Sequence, residues 1–210
     1  MLGLRWWAWE FIVIFAGWRS KAEVDATVVL FNIFELFQCP PYGIALVYQN
    51  FISYLFGQGR LDEAKRYSRI ARLNFLGYMA YSITLLLLLH ENLLTLFTQD
   101  PETVEALKPL LHIFPVLICL EGYTTIQGAF VRSLNLQKTA TILTLVSYYA
   151  VGIPFGLLLG FGSHDMGVLG VLIGFAIGIF LLNLILDIII ECSDWHYCAQ
   201  EMQAQIEREK

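Results

Sequence analysis

ICLEGYTTIQGAFVRSLNLQ, residues 118–137, carries one acid, Glu121, with apolar turns on both sides of it. An acid at the centre of a membrane-spanning helix costs about 2.5–3.5 kcal/mol on insertion scales. Such a residue therefore faces a bundle interior or a watery cavity, and it marks a path for ions or substrate. The plainer account is an acid near a helix end whose side chain reaches back to water. The apolar runs at 113–120 and 126–131 weigh against it. The rest of the chain is then expected to supply a helical interior around this position.

Composition fits that demand. Of the 210 residues 57% are hydrophobic and 15% charged, where soluble domains carry about 25% charged residues. The chain reads as all-α, a polytopic membrane helix bundle whose first partner is the lipid bilayer. Its net charge of -5 points to no nucleic acid, because in a membrane protein the placement of Lys and Arg is what informs. Cys39 and Cys119 read as small buried apolar residues. Cys192, His196 and Cys198 lack the further ligands that a closed metal site needs, so no metal is expected. The four histidines are scattered, no Ser/His/Asp or phosphate-binding glycine pattern occurs, and no catalytic residue is assigned.

A hydrocarbon core takes about 20 apolar residues per helix, and turns and charges cut residues 1–190 into about six such pieces. The first, 1–17, begins abruptly, and the chain is expected to be a portion of something longer. WRSKAEVDA follows as a short polar loop. The second, 26–55, contains Pro40 and Pro41 and is expected to kink or unwind there, its freed carbonyls finding partners in neighbouring helices, water or a cavity. Residues 60–72 carry five cations and read as an amphipathic helix on the membrane surface. The third span covers 73–89. Asp100 and Pro101 are suited to cap and open the fourth, which contains Glu121 and ends near Ser133.

The fifth span, 140–161, holds Pro154, a third candidate kink. In the sixth, 167–190, Gly167, Gly170, Gly174 and Gly178 recur at helical spacing, as in spans that approach a neighbour closely. Residues 191–210 form a polar tail, expected on the cytoplasmic side. With both termini inside, Arg5, Arg60, Lys65, Arg66, Arg69, Arg72, Arg132, Lys138, Arg208 and Lys210 fall on the inner side and only Arg19, Lys21 and Lys108 outside, as the positive-inside rule asks.

Several motifs in register resemble the C-terminal lobe of the multidrug and toxic compound extrusion (MATE) family, cation-coupled antiporters of about twelve helices. RWWAWE at 5–10 resembles the EWWxxE opening of the family's seventh helix. PYG at 41–43 and FGQGRLDEAKR at 56–66 resemble its P-x-G and LGAG-x5-A elements. EGYTTIQGAFVRSLNLQ resembles the tenth helix, where an acid precedes R-G-x-G-x-Q. YYAVGIP at 148–154, GVLGVLIG at 167–174 and Asp194-Trp195 continue the order.

The resemblance implies one six-helix lobe of a secondary transporter that exports organic cations and xenobiotics, with H+ or Na+ as coupling ion and no other cofactor. Its partner is a second six-helix lobe or another copy of the chain; the alternative is a non-transporting half that needs such a lobe. It also implies that Glu121 and Glu10 are the coupling carboxylates. Substrate contact falls to Trp7, Asn32, Glu35, Tyr42 and Tyr123, with Trp6 and Trp9 completing a flat aromatic pocket; interfacial anchoring is an equal account of Trp6 and Trp7. One departure matters. Arg5 stands where the family has the first glutamate of its seventh helix, and a cation there holds a nearby carboxylate ionised and blunts a proton switch.

Overall fold

The computed structural model describes the backbone of residues 2–162 and 165–200, and the side chains of 3–89, 97–162 and 165–200. Among these residues all regular structure is helical: α1 Leu2–Gly17, α2 Lys21–Gly57, α3 Leu61–Phe97, α4 Pro101–Ser133, α5 Gln137–Leu145, a π-helical segment Val146–Gly152, α6 Ile153–Phe161 and α7 Val168–Cys192. Five are long and apolar enough to cross a membrane, counting α5, the π segment and α6 as one. The first expected span is α1, with 16 residues. The part of the tail beyond residue 200 lies outside the described residues.

Helix α4 is the centre of the bundle. It packs on α2, α3, α5 and α7, while α1 leans on α2 and α7. From Glu121 to Val131 nearly every α4 side chain is buried, so this segment meets protein on all sides, as a span that is apolar all round does in a bundle. Asp100 caps it as expected: its side chain accepts from the Thr103 N–H, and Pro101 follows at the first helical position.

Three expectations change. Helix α2 starts at Lys21 under a Ser20 cap, so most of the polar stretch read as a loop is helical and only residues 18–20 connect the spans. The basic segment is no separate surface helix. It forms the opening turns of α3, whose 37 residues span about 55 Å at a rise of about 1.5 Å each. A hydrocarbon core is about 30 Å thick, so one end of α3 projects beyond it and the cations project with it. Cys39 is exposed and Cys119 half-buried.

The paired prolines leave α2 helical throughout. Pro41 has no N–H to offer the carbonyl of Phe37, and the Tyr78 hydroxyl of α3 donates to that oxygen at 2.9 Å. A neighbouring helix thus replaces the missing bond. Pro154 follows the π segment, a wider turn that releases backbone bonds and re-aims side chains.

The glycine stripe of α7 faces a second stripe. A Cβ on Gly170 would stand 2.6 Å from Gly160 N; on Gly174 it would run into Gly156, and on Gly178 it would come within 2.9 Å of Gly152 Cα. Two helices built of Gly at every fourth residue lie backbone against backbone. Of the expected inner cations, Arg72 and Arg132 lie at one end of the bundle, where Arg72 pairs with Glu191 at 2.6 Å, Arg132 donates to Gln49 and Trp195 lies 5.4 Å from Phe56. Arg5, expected among them, is instead buried inside the bundle, and Arg208 and Lys210 lie outside the described residues.

Candidate functional site

Glu121 is completely buried. Its Oε2 forms an ion pair with the Arg5 guanidinium of α1, whose side chain is 7% exposed. Its Oε1 accepts from Trp9 Nε1 at 3.2 Å and from the Tyr148 hydroxyl at 2.7 Å. Arg5 also donates to the Thr125 hydroxyl at 3.2 Å and to the Glu121 carbonyl at 3.3 Å, and Thr125 donates to that carbonyl in turn. Helical spacing explains the company. Arg5 and Trp9 share a face of α1, and Glu121 and Thr125 share a face of α4, because residues four apart lie one above the other.

Rings seal this knot. Trp9 lies 4.6 Å from Phe34 and meets Phe175 edge-on at 5.2 Å, and Tyr148 meets Phe175 edge-on at 5.1 Å. Such pairs add about 0.5–1.5 kcal/mol each beyond the area they bury. The π segment supplies Tyr148, which is fully buried. On the side toward α2 a narrow cleft remains, lined by Arg5, Trp6, Trp9, Phe31, Phe34, Glu35, Tyr42 and Glu121, with about 10 Å³ of room for water centres. That is space for about one water molecule.

The expected residues divide among several places. Glu35, Tyr42, Trp6 and Trp9 join Glu121 at the cleft. Glu10 does not: it is exposed, because five residues turn an α-helix by about 140° from Arg5. Trp7 is 68% exposed, two residues from Trp9 and therefore on the opposite side of α1. Asn32 is exposed on α2. Tyr123, two residues from Glu121, points away from it and donates to Asp187 of α7 at 2.8 Å. The flat aromatic pocket of the sequence reading is therefore not assembled within this lobe, and the cleft is too small for an organic cation.

Four members of the buried polar system were not singled out in advance. Tyr148 and Thr125 complete the shell of Glu121. Asn183 accepts from Thr124 at 2.7 Å, donates to the Leu120 carbonyl at 2.9 Å, and its own carbonyl accepts from Gln127. Asp187 is an acid in the apolar run LLNLILDIII, so the rule that draws attention to Glu121 applies equally to it. No sequence signal marks the π segment.

Residues 2–158 match the MatE family. The chain is 27% identical over 96% of its length to multidrug and toxin extrusion protein 1 of Danio rerio, and 26% identical over 97% to the Homo sapiens protein of that name. It spans 34% and 35% of those relatives, about a third of their length. Among solved structures the eukaryotic MATE transporter AtDTX14 superposes on 97% of the chain with a TM-score of 0.91 and 20% identity, and the chain covers 46% of it.

Proposed function

The chain belongs to the MatE family, and from that premise we propose that it is one helical lobe of a multidrug and toxin efflux transporter, driven by an inward flow of H+ or Na+ and exporting organic cations and related xenobiotics. One observation carries this reading: a carboxylate in the middle of the bundle, with no exposure, stands at the wall of a cleft that also holds Glu35 and aromatic rings. Intramembrane acids at such sites serve ion and substrate pathways. The substrate itself binds between this lobe and a second one, since the cleft within the lobe has room for only about one water molecule. Glu10 supports that geometry. An exposed acid on an apolar helix of the bundle is costly against lipid, and in this reading Glu10 faces the space between lobes and is a second candidate for cation exchange.

Transporters of this kind work by rocking paired bundles about a central site, so the partner is a second lobe or another copy of the chain. The end of the bundle carrying Arg60 to Arg72 lies in the cytoplasm, as the positive-inside rule asks. A specific observation favours a second reading, a non-transporting half: Arg5 neutralises Glu121. The two part on one experiment. The chain is fused behind the N-terminal half of a relative, reconstituted in vesicles, and uptake of a fluorescent organic cation is driven by an imposed pH or Na+ gradient. Gradient-dependent uptake is the expected result. A folded fusion that shows none rejects the transport reading.

A further inference from the structure

The cleft between α1 and α2 holds two carboxylates in different circumstances. Both oxygens of Glu121 are engaged, one by Arg5 and the other by Trp9 and Tyr148. Arg and Trp side chains only donate, so a proton placed on Glu121 would face donors and displace at least one of them. Glu35 is half-buried and, among the described residues, makes no hydrogen bond or ion pair. The charged and titratable groups about it are Arg5 of α1, Glu121 of α4 and Tyr42 of its own helix. From α3, which also packs on α2, comes Tyr78, whose hydroxyl is occupied by the Phe37 carbonyl. Arg5, which lines the cleft, also has its Nε buried without an acceptor.

Resting on the transporter reading above, we infer that Arg5 is a tethered counter-cation that withdraws Glu121 from exchange, and that Glu35 is the carboxylate of this lobe that takes up and releases a proton or a small monovalent cation. Arg5 fills the place a mobile cation would take beside Glu121. The cation's seat moves across the cleft to Glu35, where the rings of Trp6, Phe31 and Phe34 offer further attraction for positive charge. Room for about one water fits a proton carried by water, or a bare ion, and excludes an organic cation. Glu121 becomes a positioning residue: it holds Arg5, Trp9 and Tyr148 in register, and so shapes the wall that Glu35 faces.

The test is chemical labelling of the 210-residue chain in lipid nanodiscs with dicyclohexylcarbodiimide, which modifies protonated carboxyl groups in apolar surroundings, followed by peptide mass spectrometry from acid to alkaline pH. Adduct is expected at Glu35, falling as pH rises and lost in Glu35→Gln, with Glu121 unmodified throughout. Arg5→Gln should expose Glu121 to the reagent, whereas Arg5→Lys, which keeps the charge, should leave it protected. Modification of Glu121 in the unaltered chain, or none at Glu35, overturns the inference, and that comparison needs no variant to fold. Labelling requires no transport, so a failed uptake assay rejects the transporter reading without touching this result.

Discussion

Two arginine–carboxylate contacts tie the α1 region to distant parts of the chain, and they differ in surroundings far more than in chemistry. Arg5 meets Glu121 in the interior, with side chains 7% and 1% exposed. Arg19, just past the end of α1, meets Asp165 in the connection before α7, with side chains 31% and 69% exposed, and also reaches Glu23 at 3.4 Å. In low dielectric a pair is held tightly, and each partner is ruinous to leave alone. At a wet end the same pair is screened, and water takes the place of either partner. The interior contact therefore constrains the fold and its chemistry, while the outer one trims the position of a loop.

The sharpest break is Glu121→Gln, which leaves Arg5 buried and unpaired and should cost about 3–5 kcal/mol, read by denaturant or thermal melting in detergent. Arg5→Gln should cost as much, and the double variant should recover most of the loss. A single variant as stable as the parent would remove the ion pair from the account. Tyr148→Phe keeps the ring against Phe175 but deletes the 2.7 Å bond to a charged acceptor, a loss of about 1.5–3 kcal/mol. The contact of α7 with α6 can be probed separately. Gly174→Ala sets a methyl group into the Gly156 backbone and should cost about 1–3 kcal/mol by overpacking.

At the wet end the effects shrink. Arg19→Gln should change stability by about 0.2–1 kcal/mol, and less again in high salt; a larger loss would make that end a structural equal of the interior. The smallest effect is one of pH. Thr103, through its hydroxyl and its N–H, holds Asp100 below the usual carboxylate range. A group depressed by folding adds stability above its unfolded value and loses that contribution as pH falls through the folded one. Melting midpoints should therefore drop slightly on acidification in the parent, and Asp100→Asn should flatten that part of the change.

Much of this was readable from residue order. The apolar runs gave the spans, Asp100-Pro101 gave the start of α4, and the glycine spacing in α7 gave its close packing. Glu121 was readable as an interior acid because nothing but burial suits a carboxylate in that run. Its partner was not. Arg5 lies 116 residues away in sequence, and pairing across a bundle depends on which faces two helices turn to each other. Glu10 and Tyr123 lie away from Glu121 by helical geometry alone, one exposed on α1 and the other turned to Asp187. The π segment escaped because a single wider turn depends on the fit of neighbouring helices and leaves no mark in composition.

The facing glycines of α6 and α7 carry a mechanical consequence. Where backbone rests on backbone, the permitted registers are discrete: sliding one helix by less than a turn would bring Phe155, Val171 or Phe175 onto positions that only glycine fits. A permitted slip is about 5.4 Å, one full turn, and anything smaller is blocked by hard contact. The pair thus behaves as a splined shaft. Any displacement that draws Tyr148 from Glu121 has to carry α7 along or jump a whole notch, so the lobe passes motion from one end to the other without slack.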